Sequence, residues 1–188
     1  MRVGVIVPVR APAPYLAEAL TSVLRQEPAP AAVVVVDDGS EPPLETLEGA
    51  RVVRLDDGPR GPAGARAAGL AALDTELVAL ADADDVWEPG KLAAQIDALD
   101  AHPSAAVCFG RALVVDASGR PMGERLPEAE RGLHAASGFA LRLFERNVVP
   151  AASAVVRRDA LEAVGGFDGG PALSAGSDWE LWLRLAAA

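Results

Sequence analysis

Three short apolar runs constrain this chain most: residues 3–7 (VGVIV), 33–36 (VVVV) and 77–80 (LVAL). A strand that is apolar at every position has both faces covered, the condition of a parallel sheet between two helical layers. Between the runs, Tyr15, Leu16, Ala19, Leu20, Val23 and Leu24 recur at helical spacing. Pro8 should stop the first strand, and Pro28 and Pro30 should end the helix. Residues 51–55 predict a third strand, GPRGPAG a Gly/Pro loop, and residues 63–73 a helix of small side chains. Pro89 suits the first turn of a further helix, with Leu92, Ile96 and Leu99 on its inner face. Strands alternating with helices predict a doubly wound α/β unit, whose ligands sit at the carboxyl ends of the strands. The turn DDGS and the acidic run ADADD both fall at such ends.

The second half is less regular. Residues 105–115 fit one or two strands, DASGR a turn, and residues 120–131 a flexible loop. Residues 137–146 fit a helix and 152–156 a strand. RRDALEAVGGF reads as a short helix capped by Asp159 and stopped by Gly165 and Gly166. SDWELWLRLAAA begins another helix, in which Ser177 and Glu180 have the spacing of a capping box.

The formal net charge of -10 argues against a nucleic-acid binder or a polybasic membrane anchor. No apolar run approaches the ~20 residues of a membrane helix. Cys108 is the one cysteine, flanked by apolar residues, so an intrachain disulfide is impossible and a buried structural thiol is expected. These features predict a cytoplasmic protein, with peripheral association at a membrane left open. His102 and His134 lack metal-ligand spacing and are assigned no role.

Asp82, Asp84 and Asp85 are the chemistry-bearing cluster. If the strand persists to Asp84, Asp82 and Asp84 point to one side. Two carboxylates about 5 Å apart repel by roughly 3 kcal/mol at an effective dielectric of 20, and a divalent cation reverses that sign. All-oxygen ligands favour Mg²⁺ or Mn²⁺ over Zn²⁺. A bare D-x-D equally fits a solvated turn, with Asp85 capping the following helix. Asp38 in DDGS can bind a base or ribose or simply make a turn. Arg66 in GPAGARAAGL can reach a phosphate or a carboxylate or lie solvated on its helix. Asp178 suits the first helical turn as a dipole partner. Trp179 and Trp182 fit core positions better than an acceptor site.

Taken in order, VIVPVR, YLAEALTSVLRQ, VVVVDDGS, GARAAGL, LADADDVWEPGKL, PAASAVVRRDALEAVGGFD and SDWELWLRLA resemble the family-2 glycosyltransferases of GT-A fold. The resemblance leaves a gap from about Arg111 to Asn147. It implies a mostly parallel central sheet flanked by helices. It implies one catalytic domain over residues 1–188, with a nucleotide-binding half (1–100) and an acceptor-side half (101–188) in a short or truncated form. The implied activity is inverting, metal-dependent transfer from a nucleotide-diphosphate sugar, a UDP-sugar foremost, to a hydroxyl of a carbohydrate, lipid-linked or small-molecule acceptor. By the resemblance, the main chain at Pro8 and the side chain of Asp38 hold the nucleoside. Arg66 lies by the base or diphosphate, Asp82 and Asp84 hold Mn²⁺ or Mg²⁺, and Asp178 is the general base. The chain departs from the family at RAPAP, where an Asn is usual, at Arg66-Ala67, where Arg-Asn is frequent, and at Ser177, where an acid is common. A noncatalytic nucleotide-binding scaffold of the same fold is the alternative. A sugar-phosphate nucleotidyltransferase is another, although PVRAPAP stands where its glycine-rich loop would be.

Overall fold

The computed structural model describes residues 1–126, 132–167 and 176–188. Six of its strands form one sheet in the order β3-β2-β1-β4-β8-β5. The strands are β1 (Val3–Val9), β2 (Ala32–Asp37), β3 (Arg51–Arg54), β4 (Leu77–Leu80), β5 (Val107–Phe109) and β8 (Ala154–Arg157). β1 to β4 are parallel, whereas β8 runs antiparallel to both β4 and β5. A hairpin of β6 (Ala112–Val115) and β7 (Pro121–Leu126) stands apart from this sheet. The helices are α1 (Leu16–Leu24), α2 (Gly61–Ala71), α3 (Lys91–Ala101), α4 (Ala136–Glu145), α5 (Arg158–Ala163) and α6 (Ser177–Ala187).

The strand period of two divides the apolar runs between two cores. Ile6, Val34, Val36, Val78 and Leu80 face α2 and α6, packing with Ala65, Leu181 and Trp182. Val5, Val7, Val33, Val35, Leu77 and Ala79 face α1 and α3, packing with Leu20, Val23, Leu92 and Leu99. Trp182 is thus a core residue, and Trp179 is half-buried with its Nε1–H donating to the Leu143 carbonyl at 2.5 Å. Cys108 is half-buried rather than fully enclosed.

Pro8 does not stop the first strand. Gly4, Ile6 and Pro8 direct their backbone groups toward β4, as the Ala81 N–H to Ile6 carbonyl bond shows. β4 ends at Leu80, opposite Ile6, so the missing Pro8 N–H faces no strand and β1 continues to Val9 beside β2. The GPRGPAG loop is shorter than expected, because α2 already begins at Gly61. Residues 121–126 of the expected flexible loop are β7, paired across the Asp116–Gly119 turn. The rest of that loop, residues 127–131, lies outside the described residues. Gly165 and Gly166, with φ of 88° and 72°, do end α5, whose backbone turns back as the Gly166 N–H reaches the Leu161 carbonyl. Among the described residues, no helix is long and apolar enough to cross a membrane.

Candidate active site

The sheet order sets the carboxyl ends of β2, β1 and β4 side by side, and with them Asp38, Pro8 and Asp82. The loops beyond are tied to one another. The Ala11 N–H donates to Ser40 Oγ at 2.8 Å, joining the loop after β1 to the loop after β2. Gly39, at φ 74°, supplies the left-handed residue this tight turn requires.

The two acids of DDGS have different partners. Asp37 is fully buried and accepts from the Ser40 N–H (2.8 Å), the Leu44 N–H (3.1 Å) and Arg54 Nη1 (2.8 Å). Burial pushes its carboxyl up, but the bonds from Ser40, Leu44 and Arg54 outweigh that and hold it below the ordinary value. Asp38, also buried, accepts from the Arg60 N–H at 2.7 Å and the Gly61 N–H at 2.9 Å. Its carboxylate therefore takes two backbone donors at the start of α2 and joins the carboxyl end of β2 to the helix that carries Arg66.

Arg66 is buried in α2 and donates from Nη2 to Asp82 Oδ1 at 2.7 Å, while its Nε has no hydrogen-bond partner. The solvated reading of this arginine does not hold. β4 ends at Leu80, two residues before Asp82, so Asp82 and Asp84 do not share a strand face as expected. They lie instead in a turn closed by the Asp85 N–H to Asp82 carbonyl bond. Asp84 is exposed and makes no hydrogen bond or ion pair among the described residues. Asp85 reaches the surface, yet the protein mass around it, then Asp82 and Asp84, push its carboxyl up to about 6. Asp85 caps no helix: α3 starts six residues later, with Gly90 at its N-cap.

What diverts the chain between Asp85 and α3 is Trp87. Its N–H donates to Ser22 Oγ at 2.9 Å and its Nε1–H to the Ala152 carbonyl at 3.1 Å. Gln26 completes the clamp, donating to the Glu88 carbonyl and accepting from the Leu92 N–H. Ser22, Gln26 and Trp87 thus fix the acidic turn from behind. Sequence reasoning missed the first two, because nothing local marks a Ser on α1 and a Gln just past its end as partners of a loop some sixty residues on.

Asp178 approaches from the other half. Because β8 is antiparallel to β4, its first residues lie at the carboxyl end of β4, and so does the segment before it. Asn147, in that segment, donates from Nδ2 to Asp178 Oδ2 at 2.9 Å. Asp178 is the second residue of α6, and the expected capping box is not formed. Gly176 is the N-cap, and Glu180 instead pairs with Arg184 one turn on. Asp159 likewise sits inside α5 rather than at its cap.

An open, mostly parallel sheet with an acidic turn and a buried arginine at its carboxyl edge defines an α/β protein of the class that binds ligands at its strand ends. The chain belongs to the glycosyltransferases: residues 4–165 match the family Glycosyl transferase family 2, a match that ends before Asp178. It is 33% identical over 196 residues to the pre-mycofactocin glycosyltransferase of Mycobacterium tuberculosis, covering 99% of this chain and 39% of that protein. It is similar in structure to residues 1–349 of S. aureus TarS in complex with UDP, with a TM-score of 0.72, 23% identity, and coverage of 99% of this chain and 55% of that one. The mannosyltransferase PcManGT of Pyrobaculum calidifontis, in complex with GDP-Man and Mn2+, aligns with a TM-score of 0.57 and 23% identity over 89% of this chain and 48% of that one. The fold expected from the sequence, GT-A, is the fold found. The chain spans 31–39% of the length of the curated relatives it matches.

Proposed function

We propose that residues 1–188 form the catalytic unit of an inverting glycosyltransferase that moves a sugar from a nucleotide-diphosphate sugar, a UDP-sugar foremost, to an acceptor hydroxyl. The observation that carries this reading is the Arg66–Asp82 pair: a buried cation held at the carboxyl edge of the sheet, beside an acidic turn. The complexes of TarS with UDP and of PcManGT with GDP-Man support a donor of this class.

Pro8 and Asp38 border the nucleoside in this reading, Asp38 also holding the Arg60–Gly61 backbone against it. Arg66 lies by the diphosphate in this reading, its guanidinium charge held at the strand end by Asp82. The acidic turn fits Mn²⁺ or Mg²⁺ by its chemistry. It offers oxygen ligands only, and Asp84 has no competing partner among the described residues. Among the described residues, no three acidic, His or Cys side chains converge to hold a cation unaided. Asp84, with the Asp82 oxygen not bonded to Arg66, would therefore hold the ion jointly with diphosphate oxygens. Such an ion supplies positive charge where the departing diphosphate develops negative charge.

Asp178 takes the proton of the acceptor hydroxyl as that oxygen bonds to the anomeric carbon. The bond from that carbon to the diphosphate oxygen breaks on the opposite face, and its electron pair leaves with the nucleotide. The anomeric configuration inverts.

The test combines calorimetry and turnover. UDP should bind with Mn²⁺ present and weaken at least tenfold in EDTA or in Asp84→Asn. Asp178→Asn should keep UDP affinity and lose about 10²–10⁴ in the rate of nucleotide release from the nucleotide sugar. UDP affinity indifferent to EDTA and to Asp84→Asn removes the metal assignment. Full turnover in Asp178→Asn removes the base.

A further inference from the structure

We infer that Asn147 is a positioning residue for the Asp178 carboxylate, an inference that rests on the reading of Asp178 as general base. Asn147 lies just past Arg146, the C-cap of α4, and precedes the turn over Ala151–Ser153 that leads into β8. Its amide is held at both ends. Oδ1 accepts from the Val149 N–H at 3.1 Å, and Nδ2 donates to Asp178 Oδ2 at 2.9 Å. The first bond identifies the second: a backbone N–H needs an acceptor, so the oxygen must face Val149 and the NH₂ must face Asp178.

Val149 is itself buried in the core beside Val148. The orientation of Asn147 is thereby referred to the packed interior, although its side chain is exposed. Among the described residues, Asp178 has no other side-chain anchor. Gly176, at its N-cap, carries no side chain to hold the first turn, and α6 has no side-chain capping bond at its start. A carboxylate on such a helix end is free to rotate about χ1 and χ2 unless one oxygen is pinned. Asn147 pins Oδ2 and fixes the plane of the group, so the remaining oxygen keeps one direction for the acceptor proton. Losing that orientation raises the barrier to the proton-transfer step without touching donor binding, which belongs to the β1, β2 and β4 ends.

Asn147→Asp is the informative variant. It keeps the shape and the acceptor for the Val149 N–H, but replaces the donor to Asp178 by a like charge. Asn147→Ser removes the donor without adding charge. Both are compared with Asp178→Asn in release of UDP from a UDP-sugar that the wild type turns over, with water in the acceptor's place. The expected result is a fall in kcat of at least tenfold for Asn147→Asp and a smaller fall for Asn147→Ser. KM for the UDP-sugar should stay within twofold and melting temperatures close to wild type. A separate readout needs no turnover: the Asn147 side-chain NH₂ resonances in ¹⁵N-labelled protein should shift in Asp178→Asn relative to wild type. Wild-type kcat in both Asn147 variants, with Asp178→Asn inactive, overturns the positioning role while leaving the base in place. Full activity in Asp178→Asn removes the base reading itself, and unshifted Asn147 resonances remove the contact.

Discussion

Arg66 Nη2 donates to Asp82 Oδ1 at 2.7 Å across the gap between α2 and the end of β4, and the two partners are unequally buried. The Arg66 side chain is 6% exposed and that of Asp82 32%. Removing Asp82 strands a buried guanidinium, whereas removing Arg66 leaves a carboxylate that water can reach. Asp82→Ala should therefore cost more stability than Arg66→Met, approaching the ~3 kcal/mol of a broken buried pair. Urea unfolding of the two variants measures the difference. Equal losses would show that burial does not govern this pair.

Asp37 should behave as a structural acid, unlike its neighbour Asp38. Its folded carboxyl lies below the ordinary value, so its contribution to stability is present above about pH 4 and is lost as pH falls through the folded pKa. Asp37→Ala removes the acceptor for Ser40, Leu44 and Arg54 together and should cost about 3 kcal/mol. The loss of stability on acidification below pH 4 should shrink in this variant. An Asp37→Ala protein as stable as wild type at pH 7 would refute the anchor.

Lys91 gives the opposite kind of handle. Its Nζ is buried without a hydrogen-bond partner, 3.8 Å from the centre of the Trp87 ring. Burial pulls the amine down to about 7, against a smaller upward pull from Cys108. The unfolded chain, near 10.5, binds more protons than the folded one between those values. Stability should rise with pH from 7 toward 10.5 on this account. Lys91→Met should be more stable than wild type at pH 7 and should lose that rise. Melting from pH 7 to 8 checks it below the range where the thiol of Cys108, at 9.0 in the unfolded chain and pushed up by burial in the folded one, begins to ionise. A rise of the same size in both proteins would exclude Lys91 as its source.

Gly69 separates sterics from helix propensity. In an open helix, Gly→Ala gains about 1 kcal/mol. Here a Cβ at Gly69 would fall 2.4 Å from Ile6 Cγ2, where α2 lies on β1. Gly69→Ala should destabilise by about 1–3 kcal/mol instead. Thermal melts decide the sign, and a stabilised variant would mean that the contact relaxes freely.

The local signals in the sequence that proved reliable were those that depend on burial. Residues 33–36 and 77–80 read as covered strands because each position was apolar, and both faces of the sheet are indeed packed. Signals that depend on one side chain choosing among partners were less reliable. Ser177 and Glu180 have capping-box spacing, but Arg184 holds Glu180. Asp85 precedes a helix, but Trp87, bonded to Ser22 and Ala152, carries the chain away before that helix starts. Of the candidate site, the strand-end location of Asp38 and Asp82 was legible from position, whereas Arg66 stood open between a solvated helical residue and a partner for a phosphate or carboxylate. Which of them pair was not legible, since a side chain's partner depends on strands distant in the chain.

The sequence by itself determined the parallel half of the sheet, the carboxyl-end location of Asp38 and Asp82, and the GT-A resemblance, since continuous apolar runs and turn residues are local properties of the chain. Tertiary structure alone decided that β8 enters antiparallel between β4 and β5. That reversal brings Asn147 to the edge where Asp82 lies and gives Asp178 its partner. No local pattern encodes it. The short strand AVVR fills both cores with Val155 and Val156 in either direction, so the choice falls to contacts at its end: Arg157 donates to the Leu99 and Ala105 carbonyls, and Arg158 to the Leu70, Leu73 and Thr75 carbonyls.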